Sequence, residues 1–212
     1  MCEAPPMFEL SGTPHQEEDW FETPAALADV CVAQVLELME ARPPTSMSMP
    51  YVHRILCPAA GRGIFPEALR RYYDDIDVTP HVVGCDVVDR QPRGLDAFTV
   101  CDARSWFPGV GPWDLAIDNI PFDVEIAVPI VQRYAETAAW CAFILPWAGF
   151  GGVDVWAPIF GGLQLNPIRP TYAFPITPRP WGDSVRETAL FVWRRGVVPS
   201  HTKVRELPRW KP

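Results

Sequence analysis

The chain has six cysteines, at 2, 31, 57, 85, 101 and 141, but no Cys-x-x-Cys pair among them. That spacing excludes a zinc ribbon or finger and gives no disulfide framework. Three of the six close expected strands, which points to buried free thiols in a reducing compartment. The four histidines, at 15, 53, 81 and 201, stand alone, so no metal constellation is present and no metal is expected. There is no basic-plus-apolar leader, no apolar run long enough to span a bilayer, no internal repeat and no low-complexity tract. A cytoplasmic protein without membrane contact is expected, and a virus- or prophage-encoded protein acting inside its host cell would read the same way. The net charge is −8, which argues against broad, non-specific binding to nucleic acid. The C-terminal segment is the exception, with Arg194, Arg195, Lys203, Arg205, Arg209 and Lys211 against Glu206. A solvated tail and a phosphate contact explain that bias equally well.

What is present bounds the architecture. At 212 residues, with 48% apolar and 21% charged residues, the chain has material for one domain with a real core. Its 25 prolines gather near the ends and between 167 and 180, where irregular connections are expected. Residues 1–18 lack patterning and read as a flexible segment. A single α/β domain follows over 19–196, then a basic, proline-containing tail over 197–212. Thr23 and Pro24 suit an N-cap and a first helical position, and Leu27, Val30, Val32, Val35, Leu36 and Met39 recur at helical spacing. Residues 41–49 read as a linker. Strands are expected at 52–57, 81–86, 97–101, 113–118 and 139–145, with helices at 64–73 and 123–137. Such alternation predicts a mostly parallel sheet with helices on both faces. Residues 170–175 and 188–193 add a C-terminal antiparallel hairpin.

Two stretches carry chemistry. In the first, an apolar strand runs into Pro58, Ala59, Ala60, Gly61, Arg62 and Gly63. Small residues let backbone approach a ligand, and the helix that follows offers a partly positive N-terminus. The next strand ends in Asp86, 23 residues beyond Gly63. An acid at about 20 residues is where dinucleotide folds bind ribose hydroxyls. A third acid, Asp102, follows the next short strand, where it reaches a purine ring or serves as a turn cap. The third glycine of G-x-G-x-x-G is missing, which speaks against hydride transfer.

In the second stretch an apolar strand ends in Asn119, Ile120, Pro121 and Phe122. An exocyclic aromatic amine is a poor nucleophile because its lone pair is delocalised. Two carbonyls aimed at its N–H bonds favour a tetrahedral nitrogen as positive charge develops. Asn119 offers a side-chain carbonyl and Ile120 a backbone one. Pro121 stiffens the turn, and Phe122 is placed to stack on a flat base. Transfer of a methyl group from a sulfonium needs no metal and no general base, in keeping with the missing histidine and cysteine clusters.

In this order of motifs, over roughly residues 20–195, the chain resembles the Rossmann-like, S-adenosylmethionine-dependent amino-methyltransferases, especially the adenine-specific DNA methyltransferases of phage and prophage type. Trp20 to Pro24 resembles an aromatic-x-Thr-Pro element, implying that Phe21 and Thr23 help bind the methionine part of the cofactor. Cys57 to Gly63 resembles the glycine motif, Asp86 the ribose-binding acid, and Asp102 the adenine contact. Asn119 to Phe122 resembles the Asp/Asn/Ser-Pro-Pro-Tyr/Phe catalytic motif. Residues 182–184 and 189–193 are similar to the family's closing strand region. Two departures stand out: Cys57 replaces an acid, and Ile120 replaces a proline.

The resemblance implies methyl transfer to adenine in DNA, with the base flipped from its stack. RNA adenine and a protein glutamine amide are alternative acceptors, and a non-catalytic binding protein on the same fold is a further reading. No large target-recognition domain is visible. Recognition is left to short loops, the 146–185 region, the basic tail or a second subunit in a homodimer. Trp106, Trp113, Trp147, Trp156 and Trp181 are candidates for the target pocket or for ordinary packing.

Overall fold

The computed structural model describes residues 22–40, 53–76, 78–109, 111–147, 169–177, 179–181, 187–197 and 199–210. In chain order these form α1 (Ala25–Glu40), β1 (Arg54–Cys57), α2 (Ile64–Asp74), β2 (His81–Asp86) and β3 (Ala97–Val100). β4 (Trp113–Asn119), α3 (Val124–Thr137), β5 (Ala138–Pro146), β6 (Tyr172–Pro175), β7 (Thr188–Arg194) and β8 (Lys203–Val204) complete them. The expected elements are all present, with ends moved by one or two residues. One difference concerns the start of α1. The amides of Leu27 and Ala28 both donate to the carbonyl of Pro24, so Pro24 occupies the cap position and Thr23 lies one residue outside the helix.

The eight strands form one sheet in the order β3-β2-β1-β4-β5-β7-β6-β8. Neighbours from β3 across to β5 are parallel, and β7 is antiparallel to both β5 and β6. The expected hairpin is thus the β6–β7 pair, with Tyr172 opposite Val192. Chain order reverses between β1 and β4, and a sheet with such a reversal leaves a crevice outside the C-terminal ends of those strands. The registers of Ile55 with Leu115 and of Asn119 with Ile144 set β1, β4 and β5 side by side.

Alternation along the strands divides the core into two layers. On one face Leu115, Ile117, Ala142, Ile144, Leu190 and Val192 pack with the buried stripes of α1 and α2. On the other, Ala116, Cys141, Phe143, Leu145, Phe191 and Trp193 pack with Ala127, Ile130, Val131 and Tyr134 of α3. Helices therefore cover both faces, because residues of opposite parity on each central strand are apolar. The described cysteines are free, and Cys31, Cys57, Cys85 and Cys141 are buried. Among the described residues no helix is long and apolar enough to cross a membrane.

The basic C-terminal segment is partly built into the sheet. Lys203 and Arg205 donate their amides to the carbonyls of Thr171 and Ala173, and β8 pairs with β6. Trp210 is only 4% exposed and packs with the α1–α2 layer. Truncating a buried tryptophan of this kind costs about 3 kcal/mol, whereas a change in a solvated tail stays within about 0.5 kcal/mol. Trp210→Ala is therefore expected to lower unfolding stability by about 3 kcal/mol, read by denaturant titration.

Candidate functional site

The turn from β1 into α2 is held by acceptors on both sides. The Ala59 amide donates to Oδ2 of Asp118 at 2.9 Å, and the Ala60 amide to the Cys85 carbonyl at 3.0 Å. The Gly61 amide donates to Oδ2 of Asp86 at 2.9 Å, and the Gly63 amide closes the turn on the Ala60 carbonyl at 2.7 Å. The turn thus spans from the end of β4, across β1, to the end of β2. Gly63 has a left-handed backbone with φ of 92°, and a Cβ there would run into the Arg93 backbone. Its missing side chain makes room for the loop before β3, so the tolerance for glycine here is set by chain packing.

Asp86 stands at the end of β2 beside this turn. Its Oδ1 accepts from the Val88 amide and from Nη1 of Arg90, both at 3.1 Å. Three of roughly four acceptor positions are occupied, and the Arg90 partner is a side chain that can swing away. Asp102 follows β3. It accepts the Arg104 amide at 2.8 Å and pairs with the Arg104 guanidinium at 2.6 Å, so it makes the turn-capping contact. Burial pushes this carboxyl up, but the Arg104 hydrogen bonds and charge outweigh that and hold it below its ordinary value.

Asp118, next to last in β4, is a buried acid beneath this turn. It is 3% exposed, and its Oδ1 accepts the Asn119 amide at 3.0 Å while its Oδ2 holds Ala59. Burial pushes its pKa up to about 8, against the lowering effect of those two amides; Asp86 adds to the rise. Cys57, where the resemblance would place an acid, lies buried on the neighbouring strand β1, and burial pushes its thiol up. The carboxyl beneath the turn comes from β4 instead of β1. A signal for this was present in the sequence, since an acid closes the apolar run Leu115-Ala116-Ile117.

The loop after β4 follows directly. Asn119 ends the strand half-buried, with its Oδ1 shielded from solvent. Ile120 is 1% exposed and sits in the α3-side core, so side-chain burial fixes this position where a proline ring otherwise would. Asp123 caps α3 by accepting the Glu125 amide at 2.8 Å, which anchors the far end of Pro121 and Phe122. The Phe122 ring meets Trp181 edge-to-face, with centroids 5.9 Å apart and planes at 71°. Trp181 in turn donates its indole N–H to the Glu22 carbonyl at 2.8 Å. Glu22 adjoins Thr23, which is buried, so the start of α1 is tied to the Asn119–Phe122 loop through one tryptophan.

Of the residues singled out in the sequence, Pro58, Ala59, Ala60, Gly61, Gly63, Asp86, Asn119, Ile120, Pro121 and Phe122 lie at the C-terminal ends of neighbouring strands β2, β1 and β4. Asp102 stands after the outer strand β3, and Thr23 adjoins Glu22, whose carbonyl accepts from Trp181. Phe21 lies outside the described residues, as do Trp156 and residues 182–186. Trp106 and Trp113 are buried packing, and Trp147 stacks on Phe191; Trp181 is the described tryptophan against the loop. The acceptor set fits a cationic nucleoside: the Asp86 carboxyl stands beside a turn of small residues, and a second acid, Asp102, lies one strand further out.

No protein-family model and no curated protein sequence matches the chain. Solved structures do match in fold. One is from Listeria monocytogenes and is described as a class I S-adenosylmethionine-dependent methyltransferase. It is 16% identical, with a TM-score of 0.66 over 91% of this chain and 69% of that one. The type I restriction-modification methyltransferase subunit of Streptococcus thermophilus matches with a TM-score of 0.62 at 10% identity, over 88% of this chain but only 47% of its own. The 23S rRNA methyltransferase ErmE matches with a TM-score of 0.51 at 14% identity, over 85% of this chain and 71% of its own. The architecture is that of the Rossmann-like methyltransferases.

A carboxyl whose pKa is higher folded than unfolded favours the folded state when protonated. The stability it supports is full below its unfolded value, near 3.8, and is lost as pH rises toward about 8. One such group contributes a slope of up to about 1.4 kcal/mol per pH unit in that window. Asp118→Asn is therefore expected to flatten the fall in thermal stability between pH 5 and 8, measured by melting across that range.

Proposed function

We propose that the protein transfers a methyl group from S-adenosylmethionine to the exocyclic amino group of adenine in DNA. The observation that carries this reading is the juxtaposition of the acid-flanked β1–α2 turn with the Asn119–Phe122 loop, on adjacent strands at the point where chain order reverses. Pro58 to Gly63 with Asp86 and Asp102 would hold the cofactor, which supplies an electrophilic methyl group on a cationic sulfur. Asn119 and the Ile120 carbonyl accept the two amino hydrogens, and Phe122 stacks on the extruded base. This role requires the Asn119 carbonyl, shielded from solvent here, to turn toward the base. The proton leaves to water after transfer, so the site requires no dedicated base.

Charge distribution favours a nucleic-acid acceptor over a protein one. From residue 169 onward the chain carries nine basic residues against three acids, while the rest is strongly acidic. Lys203 on the outermost strand and Arg205 just after it are exposed, both over the Tyr172 ring, at 5.9 and 4.9 Å from its centroid. β8 is parallel to β6 and, through β7 and β5, to β4, so Arg205 follows β8 at the same end of the strands as the loop. β8 is four strands from β4, about 19 Å at a spacing of about 4.8 Å, which duplex DNA covers in about six base pairs.

The test combines methyl-labelled S-adenosylmethionine, unmethylated DNA, digestion to nucleosides and mass spectrometry. N6-methyl-2′-deoxyadenosine is expected from the wild type, with Asn119→Ala reduced at least about 100-fold. Methylation of RNA or protein but not DNA would replace the acceptor. Cofactor binding without any transfer would favour a binding protein on this fold. In a separate measurement, Lys203→Ala with Arg205→Ala should lower the slope of log affinity for DNA against log salt by about 1.8, leaving cofactor affinity intact.

A further inference from the structure

We propose that Asp118 is the positioning residue that couples the two halves of this site, fastening the cofactor turn to the catalytic loop so that seating the cofactor and orienting Asn119 become one event. The inference rests on the methyltransferase reading above. One carboxyl spans both halves: Oδ2 accepts the amide of Ala59 in the turn, and Oδ1 accepts the amide of Asn119 itself. Those residues are 60 positions apart in the sequence. Asp118 is nearly inaccessible, so neither bond competes with water. Its strand alternation places it beside Ala116, facing inward, where an acid is costly to bury unless it does something specific.

Two facing amides are best served by an ionised carboxylate, which can accept fully at both oxygens. Burial works against ionisation and holds the group protonated at neutral pH. The titratable groups facing it from packed elements are Asp86 of β2, Cys57 of β1 and Cys85 of β2. Burial keeps both thiols neutral, and the electrostatic effect of Asp86 opposes ionisation of Asp118 further. A cationic ligand in the turn would reverse that balance. Asp118 would then lose its proton on binding, and both amide bonds would tighten as the ligand arrives.

The experiment is calorimetry of the full chain with S-adenosylmethionine and with S-adenosylhomocysteine, in buffers of different ionisation enthalpy, from pH 6 to 9. The two ligands share an amino-acid moiety and differ in the sulfonium charge. At pH 7 the wild type is expected to release about one proton more with the sulfonium ligand, and its affinity should rise by up to tenfold per pH unit below pH 8. Asp118→Asn should abolish the extra release, flatten the pH profile and weaken binding about tenfold at pH 8.5. Asn119→Ala should leave the release in place. Equal proton release by the two ligands in the wild type would overturn the proposal, even if Asp118→Asn failed to fold. An unchanged profile in a folded Asp118→Asn would do the same while leaving methyl transfer standing. A wild type that binds neither ligand would remove the methyltransferase reading, and the coupling with it.

Discussion

A backbone turn whose amides must find acceptors is the constraint on which this end of the molecule depends. Ala59, Ala60 and Gly61 present successive N–H groups beyond the last paired residues of β1 and β2. Asp118 takes one, the Cys85 carbonyl the next and Asp86 the third. Because these acceptors sit at the ends of β4 and β2, the turn also sets how the three strand ends stand to each other. Placement of Asn119 follows, since it is the residue after Asp118 and donates its amide to the same carboxyl.

A second constraint acts from the other side. The Asn119–Phe122 loop is short and fixed at both ends, by the buried Ile120 and by the Asp123 cap of α3. Its half-buried Phe122 ring packs against Trp181, which hydrogen-bonds the backbone at the entrance of α1. Thr23 is thereby brought toward a loop about a hundred residues away in sequence. Aromatic packing does here what hydrogen bonding does at the turn: it converts separate chain segments into one rigid rim.

Much of the fold was legible because apolar periodicity is a local property. The alternation of strand and helix from β1 to β5 could be read residue by residue, and the closing β6–β7 hairpin from its β-branched and aromatic run. The acids Asp86 and Asp102 were legible as strand-end positions, though the present partner of Asp102 is Arg104 and its contact is a turn cap. The start of α1 was displaced by one residue, because helix ends are set by which carbonyl accepts first, a matter of geometry that composition blurs. Asp118 was passed over. An acid inside an apolar strand has meaning only once the strand beside it is known.

What the sequence alone determined is therefore the parity of each strand, the order of turns and the chemistry available at their ends. A mostly parallel sheet with its glycine turn and its amide-proline-aromatic loop follows from those local facts. Tertiary structure decided which of these ends are neighbours. It brought a carboxyl from β4 beneath a turn that begins on β1, let burial raise that carboxyl's pKa, and carried Trp181 to the loop. Solvation and pairing depend on atoms that are distant in the chain, so no window of sequence contains them.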